Sequence, residues 1–549
     1  MLKILSFIDK YLHLGLIFLY PIFFLPLFVN PYSTSKLLLL VVVVLILALI
    51  KIVKTFFSDG LEFNSSKIDI LVILLSLIYL LTGIFVTPNK FDALFAPGTS
   101  SFVVFGSILY FITNQLKESD KRLAEFSLIL SAFFSGVSQI LAFTGLTKVN
   151  FLVFENPINN CIFLFSVLPV IFFKVFNYQK ILTKVFFGIV GFVVFVAGFT
   201  NVYLLLPASK TSIKLPSFKV GWVVAVDTIK VRPFFGVGPS NFLQGYNLNR
   251  PLASNLSKDW EAKYLVSSNT ILTILTEVGL IGTVIFVLLF VLSLIKPRFD
   301  NPNYISLVII AFSILVLPIF PSLMPIIFVI LSLYNHDNKH SDKLTSKTAL
   351  FLVTIPFLGL IASSFYYSYI CFYPEYLFTK GIKSIAKNDN QTLFKNINKA
   401  ISINSKIDRY HQMAREINMA LVKSLISKQD LTDNDKQAII NLVQQTITEG
   451  KATITLNPKN SNHWESLGDI YNSFILLTKG ADEFAIQTYT QAISLDPINP
   501  NLRIKLGKVY LGQKKLDKAI KSFELAVLAK PDLAIAHYNL EKAKELENN

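Results

Sequence analysis

Arg232-Pro233-Phe234-Phe235-Gly236-Val237-Gly238-Pro239-Ser240-Asn241-Phe242 lies inside a polar stretch, 207–267, that interrupts a nearly continuous series of apolar runs. Downstream, Ser268-Asn269 opens the next apolar run and Gly279-Leu280-Ile281-Gly282 sits within it. Pro233 ends any helix that precedes it, because its ring removes a donor and crowds the previous turn. The Gly236-Val237-Gly238-Pro239 run then redirects the chain. A long polar loop flanked by apolar helices implies a membrane domain whose chemistry, if it has any, sits in that loop.

The apolar runs set the class. Hydrophobic residues make up 53% of the 549 and the mean hydropathy is +0.55, too apolar for one soluble globule, whereas the last third has an ordinary soluble composition. About eleven runs are long enough to cross a hydrocarbon core of roughly 30 Å. They fall near 12–30, 37–56, 69–87, 100–114, 126–146, 160–177, 182–206, 269–295, 304–319, 320–334 and 348–371. The pair around Pro318 to Pro325 is short and reads either as two crossings or as a tight hairpin. Backbone in hydrocarbon needs internal hydrogen bonds, and the runs lack the alternation of a barrel, so they are read as helices. The expected fold is all-α: a polytopic membrane helix bundle over 1–373, with its large loop at 207–267, followed by an α-solenoid over 374–549.

Orientation follows from the basic residues. An inside N-terminus places Lys3, Lys10, Lys51, Lys54, Lys117, Lys174, Lys180 and Lys296, among others, on one side and leaves only Lys36, Lys90 and Lys148 in short loops of the other. The positive-inside rule thus predicts a cytoplasmic (inner) membrane protein with its N-terminus inside, and with the 207–267 loop and C-terminal domain outside. The net charge of +16 records this topology, so no nucleic-acid partner is expected. Cys161 and Cys371 form no CxxC pair or Cys/His cluster, and no metal or other cofactor is expected.

Within the loop, Phe218 to Val231 has the spacing of an amphipathic helix with Trp222, Val226 and Ile229 on one face. Trp222 suits the headgroup level, which makes membrane lipid an expected partner. Lys210, Lys214, Lys219, Lys230, Arg232, Arg250, Lys258 and Lys263 outnumber Asp227, Asp259 and Glu261. That excess suits a diphosphate site or a solvated loop that touches headgroups. Ser267, Ser268, Asn269 and Thr270 stand where the eighth span begins, so one of them is expected to cap it. A helix N-terminus there also attracts anions, although capping alone accounts for these residue types. Glu277 lies about two turns in, where a carboxylate is costly unless it is paired or faces a polar cavity.

Taken together, Trp222, the Arg232 to Phe242 run, Ser268-Asn269 and Gly279 to Gly282 resemble the O-antigen ligase and polymerase family. The resemblance covers 100–300 loosely and 216–285 with usable motifs. It implies a membrane glycosyltransferase that takes a glycan from a polyprenyl-diphosphate carrier at the outer face of the cytoplasmic membrane. Ser268 and Asn269 then stand at the family's catalytic motif, with Glu277 as a further catalytic candidate. Ser268 replaces the family's histidine, and the arginine a turn before the tryptophan is missing, its nearest substitute being Lys219. A further family arginine has no counterpart in 182–206. By position and charge, Lys219, Arg232 and Arg250, with the backbone at Gly236 and Gly238, are the candidate substrate-binding residues.

From Pro374 onward the apolar spacing is helical, and Pro497 and Pro531 superpose at a period of 34. Leu506-Gly507, Tyr510, Ala519, Phe523, Ala526 and Pro531 resemble the tetratricopeptide repeat, and so do Leu467-Gly468, Tyr471, Ala485, Tyr489, Ala492 and Pro497, with a longer turn near Leu476 to Ala481. The helix from about 408 to 426 reads as part of a degenerate upstream copy. Such repeats imply a protein or peptide partner. His411, His463 and His537 are scattered singly and read as packing or surface residues. Two functions remain open: lipid-linked glycan ligation or polymerisation, and a non-catalytic membrane-anchored repeat scaffold for envelope protein assembly.

Overall fold

Two units make up the computed structural model of this chain, which describes residues 2–57, 61–146, 154–206, 213–335, 340–344, 347–475 and 477–548. Lys148, Lys210 and Leu476, named above, lie outside the described residues. A helical unit takes Met1–Phe218, Ile229–Asn241 and Val266–Phe372. A C-terminal unit takes Tyr373–Asn549 and, from the long loop, Lys219–Thr228 and Phe242–Leu265.

The helical unit holds α1 (Leu2–Ile22), α2 (Ser33–Phe56), α3 (Asp69–Phe85), the short α4 (Lys90–Leu94), α5 (Thr99–Asn114), α6 (Glu118–Phe143), α7 (Pro157–Asn177) and α8 (Ile181–Leu205). After the loop helices α9 (Phe218–Val231) and α10 (Phe242–Asn249) come α11 (Thr270–Leu294), α12 (Pro302–Val316) and α13 (Met324–Tyr334). The long α14 (Lys347–Ile385) gives its first part to this unit and its remainder to the other. Every residue of α13 is buried. It lies close against α5 because Gly106 presents no side chain, and a Cβ there would come 2.8 Å from Phe328 Cδ2. Small residues at such crossings let apolar helices approach. By contrast, α8 exposes Ile181, Leu182, Val185, Ile189, Phe192 and Phe199, an apolar stripe suited to lipid.

Seven helices among the described residues are long and apolar enough to cross a membrane, fewer than the eleven expected. The difference has local causes. The expected span at 12–30 is displaced: α1 starts at Leu2 and stops at Ile22, and Pro26 and Pro31 keep the following residues irregular. Helix α3 has 17 residues and α12 has 15, about 25 and 22 Å at 1.5 Å per residue, short of a full crossing. Pro321 and Pro325 hold 321–334 to a third short apolar helix.

The two ends of this unit differ in chemistry. One end carries the connections at 23–32, 86–98, 154–156 and 317–323; it is called here the loop end. At the opposite end, Asp9 pairs with Lys51 and Lys54 at 3.2 and 3.0 Å, and Lys10 with Asp120 at 2.7 Å. There too, Glu125 joins Lys174 at 2.9 Å and accepts from Asn303 at 2.9 Å. A two-stranded antiparallel ribbon, β1 (Leu61–Ser65) with β2 (His340–Leu344), is the sole sheet among the described residues.

The C-terminal unit is a helical solenoid: α15 (Asn390–Ile403), α16 (Asp408–Ile426), α17 (Asp433–Leu456), α18 (Ser461–Ser473), α19 (Ala481–Leu495), α20 (Pro500–Gly512), α21 (Leu516–Ala529) and α22 (Ala534–Asn548). Pairs form where a small residue meets an aromatic one. A Cβ on Gly468 would come 2.6 Å from the Tyr489 ring, and one on Gly507 2.5 Å from the Phe523 ring. Ala485, Ala492, Ala519 and Ala526 are fully buried in the same seams. Each second helix ends at a buried polar residue followed by proline: Asn457-Pro458, Asp496-Pro497 and Lys530-Pro531.

This packing makes Gly507 intolerant of volume. Gly507→Leu is expected to destabilise the solenoid by about 1–3 kcal/mol through overpacking. Gly512→Leu, where nothing lies within 4 Å, serves as the control. Limited proteolysis of the full chain should cut the C-terminal region faster in the first variant only.

Candidate functional site

Within α11, Gly279 adopts φ 72 and ψ −166, so the helix is broken in mid-course. A break frees backbone groups that hydrocarbon cannot solvate. They are satisfied by the stretch read first in the sequence. Val237 N–H donates to the Thr276 carbonyl at 3.0 Å and Gly238 N–H to the Glu277 carbonyl at 2.8 Å. In return, Leu280 N–H donates to the Pro233 carbonyl at 2.9 Å and Ile281 N–H to that of Phe234 at 3.4 Å. The segment thus replaces the missing turn of the helix.

Glycine is required at the contact. A Cβ on Gly279 would lie 2.5 Å from the Phe234 carbonyl, at a φ that L side chains avoid. Gly236, at φ 60, meets the Thr276 carbonyl in the same way. Gly238 rests on Thr87, and the loop is pinned further by Thr99 Oγ1 to Ser240 Oγ at 2.8 Å and by Thr87 Oγ1 donating to the Pro239 carbonyl at 3.3 Å. The amides of Val237 and Gly238 are therefore spent on α11 carbonyls.

At the N-terminus of α11 the cap is Asn269, whose side-chain oxygen accepts from Leu272 N–H at 2.9 Å. Its amide nitrogen donates to the Leu315 carbonyl, and Thr270 donates from both N–H and Oγ1 to that of Leu317. Ser268 Oγ is buried and has no hydrogen-bond partner among the described residues. Glu277 is buried within the first half of the broken helix. Arg232 is half-buried and forms no ion pair among the described residues. Ser268, Asn269, Glu277, Arg232, Gly236 and Gly238 all belong to the helical unit, whereas Lys219, exposed on α9, and Arg250 belong to the C-terminal unit.

Arg250, expected as a diphosphate contact, is held by a carboxylate of its own unit. Its guanidinium is buried and donates to Asp496 Oδ1 at 2.8 Å, at the end of α19. Burial raises the Asp496 carboxyl while Arg250 opposes that rise. Nearby, Asn255 donates to the carbonyls of Ile498 and Ala529 at 2.7 and 2.9 Å, and Lys530 donates to the Asn255 carbonyl at 2.8 Å while lying over the Trp260 ring. Lys263 reaches Asn462 at 2.6 Å. The loop piece 242–265 therefore runs along the turns that join successive helix pairs. Its own small core is Val224, Phe242 and Tyr246. Asp496, Asn255 and Lys530 escape sequence reading because their partners lie 243 to 275 residues away.

His411 and His463 join helices of the solenoid, whereas His537 is exposed and makes a local contact. His463 Nε2 lies 2.8 Å from Asp408, and His537 Nε2 lies 2.7 Å from the Pro531 carbonyl. His411 lies 2.5 Å from Glu449 and 2.9 Å from the Ser405 carbonyl. Burial lowers the His411 pKa, but the Glu449 carboxylate and the Ser405 carbonyl more than offset it, leaving it raised.

A family model for the TPR repeat matches residues 475–514, and a second, for the tetratricopeptide repeat, matches 500–533. Residues 475–533 are tetratricopeptide repeats. Among solved structures, the chain is similar to the MamA protein at 19% identity, covering 32% of this chain and 82% of that one with a TM-score of 0.26. It is also similar to a thermophilic TPR protein of Thermus thermophilus at 16% identity, covering 36% and 95% with a TM-score of 0.25. Likenesses at such scores say nothing of function. No curated protein matches the chain.

The tetratricopeptide seams can be tested in two ways. Arg250→Met or Asp496→Leu alone should cost about 3–5 kcal/mol by stranding a buried charge, whereas the double variant should recover most of it; denaturant unfolding of the four proteins checks the cycle. For His411, whose folded pKa is raised, the stability it contributes is present below the ordinary ~6.5 and is lost as pH rises through the elevated value. The thermal stability of the C-terminal unit should fall over that window, and His411→Gln should flatten the dependence.

Proposed function

We propose that this chain is a membrane-anchored tetratricopeptide scaffold whose solenoid binds a protein or peptide partner of the cell envelope. The observation that carries this reading is the joining of tetratricopeptide repeats at 475–533 to a unit whose helices include seven that are long and apolar enough to cross a membrane. Stacked helix pairs offer an extended surface for a partner. The residues exposed on first helices of the pairs, such as Asn472 and Lys508, are polar and mixed in character. Under this reading the protein lies in the cytoplasmic membrane with its N-terminus inside and the solenoid outside. A photocrosslinking residue at Asn472 or Lys508 should yield one discrete protein adduct in cells, and one at Lys521, on a second helix, should not. Equal adducts at all three sites, or none, would overturn it.

A second reading is favoured by the broken α11 and the loop that mends it. It makes the helical unit a lipid-linked glycan ligase or polymerase, as the resemblance to the O-antigen ligase and polymerase family implies. A polyprenyl-diphosphate glycan would then meet Arg232, the cation that immediately precedes the 233–238 segment mending α11. Ser268 would stand where the family has its histidine, and with Asn269 spent on capping, Ser268 and Glu277 remain as candidates for the acceptor side. Transfer needs a donor to the departing diphosphate and a group to receive the acceptor's proton. Native mass spectrometry of the purified protein should then show a co-purifying polyprenyl-diphosphate glycan that Arg232→Ala diminishes at least tenfold. Bulk phospholipid alone would leave the scaffold as the sole function.

A further inference from the structure

Beyond its break, α11 is apolar wherever it is exposed. From Leu280 to Ile295 every exposed side chain is a leucine, isoleucine or valine, among them Leu280, Ile281, Val284, Leu288 and Leu292. Water is a poor solvent for a stripe of this length, and acyl chains are a good one. The helix is also one of the seven long and apolar enough to cross a membrane. Its exposed stripe is therefore a lipid face in the membrane reading that both functions above share.

The level of the break follows from the far end of the helix. Lys296 and Arg298 come directly after it, and Tyr304, next to the Asn303 that bonds Glu125, donates to the Leu294 carbonyl at 3.4 Å. This end of α11 thus lies among the charged residues opposite the loop end. From there the helix runs back from Leu294 to Leu280, about 22 Å at 1.5 Å per residue even when upright. A hydrocarbon core is roughly 30 Å thick, and tilt shortens the reach further. Gly279 is accordingly inside the hydrocarbon, about 8 Å short of its boundary at the loop end.

The segment that mends the helix lies at the same level, because it is bonded there: Leu280 N–H donates to the Pro233 carbonyl at 2.9 Å and Ile281 N–H to that of Phe234 at 3.4 Å. It arrives as a tight turn, closed by Gly236 N–H donating to the Arg232 carbonyl at 3.3 Å. Phe234 and Phe235 are the exposed residues of this turn, 58% and 46% accessible, with ring centres 6.4 Å apart. Backbone bonds on both sides, with the close contacts at Gly236 and Gly279, hold the turn in place with both rings outward.

Leu280 and Ile281, which carry the donors of the two bonds, are themselves exposed, so the lipid face of α11 passes directly onto the turn. Both outward residues of the turn are apolar, as that medium requires. Arg232, half-buried and two residues before Phe234, has a side chain long enough to hold its charge toward the headgroups. We propose that the 232–236 turn is seated in the hydrocarbon of the leaflet at the loop end, with Phe234 and Phe235 among the acyl chains of membrane lipid. The long polar loop then re-enters the membrane where it mends α11, and the bilayer holds the same segment that the helix requires. This seat rests on the membrane reading of the helical unit and is independent of any glycan transfer.

Nitroxide accessibility on the full chain in lipid nanodiscs tests the seat. Cys161 and Cys371 are replaced by Ala, and single labels are attached through Phe234→Cys, Phe235→Cys, Leu288→Cys on the exposed stripe of α11, and Lys258→Cys on an exposed stretch of the C-terminal unit. Power saturation compares collisions with oxygen, which concentrates in hydrocarbon, and with a nickel chelate, which stays in water. Relative to the label at Lys258, those at Phe234, Phe235 and Leu288 should favour oxygen at least threefold. An oxygen-rich Leu288 site beside water-exposed sites at Phe234 and Phe235 would overturn the proposal and leave the membrane reading standing. A water-exposed Leu288 site would overturn both. Phe234→Cys supplies the reading if Phe235→Cys fails to fold, and equal melting temperatures verify the comparison.

Discussion

Four backbone hydrogen bonds carry the helical unit across its weakest point. Where Gly279 breaks α11, Val237, Gly238, Leu280 and Ile281 use their N–H groups to join the 233–238 segment to the helix in both directions. An apolar surrounding leaves no alternative partner for those groups. The segment enters so close to its neighbours that Gly236, Gly238 and Gly279 have no room for a Cβ, and it turns twice, with positive φ at Gly236 and Gly238. The rest of the loop end is built around that entry: Thr87 and Thr99 receive the segment, and Asn269 and Thr270 fix the start of α11 to the end of α12.

A chemical role for the same glycines is narrowed by this geometry. Amides that mend a helix cannot also cradle a phosphate, so recognition of an anion in the helical unit would rest on side chains such as Arg232. In the C-terminal unit, Arg250 stabilises the seam between the loop piece and the repeats. Its neighbours Asn255 and Lys530 act through backbone carbonyls, so this seam depends on the course of the chain as much as on charge.

Much of the architecture was legible from residue spacing. The glycines of 236–238 announce a turn in the chain, and the Gly507 to Pro531 pattern announces a helix pair, because in both cases the sterics act on the residue itself; that Gly236 and Gly279 also mark a close backbone approach became plain only in the fold. The number of helices long and apolar enough to cross a membrane was less legible. Prolines at 26, 31, 321 and 325 shift or shorten helices by amounts that hydropathy does not encode. Partnerships between distant residues were not legible at all. Arg250 and Asp496 are 246 residues apart, and in sequence Arg250 is indistinguishable from a solvated cation.

The most direct measurement of the central claim is residue-resolved amide hydrogen exchange on the full chain in lipid nanodiscs. If the loop segment mends α11, the amides of Val237, Gly238 and Leu280 exchange as slowly as those of the helix interior on either side of Gly279. Fast exchange at Val237 and Gly238, with α11 protected on its own, would contradict it.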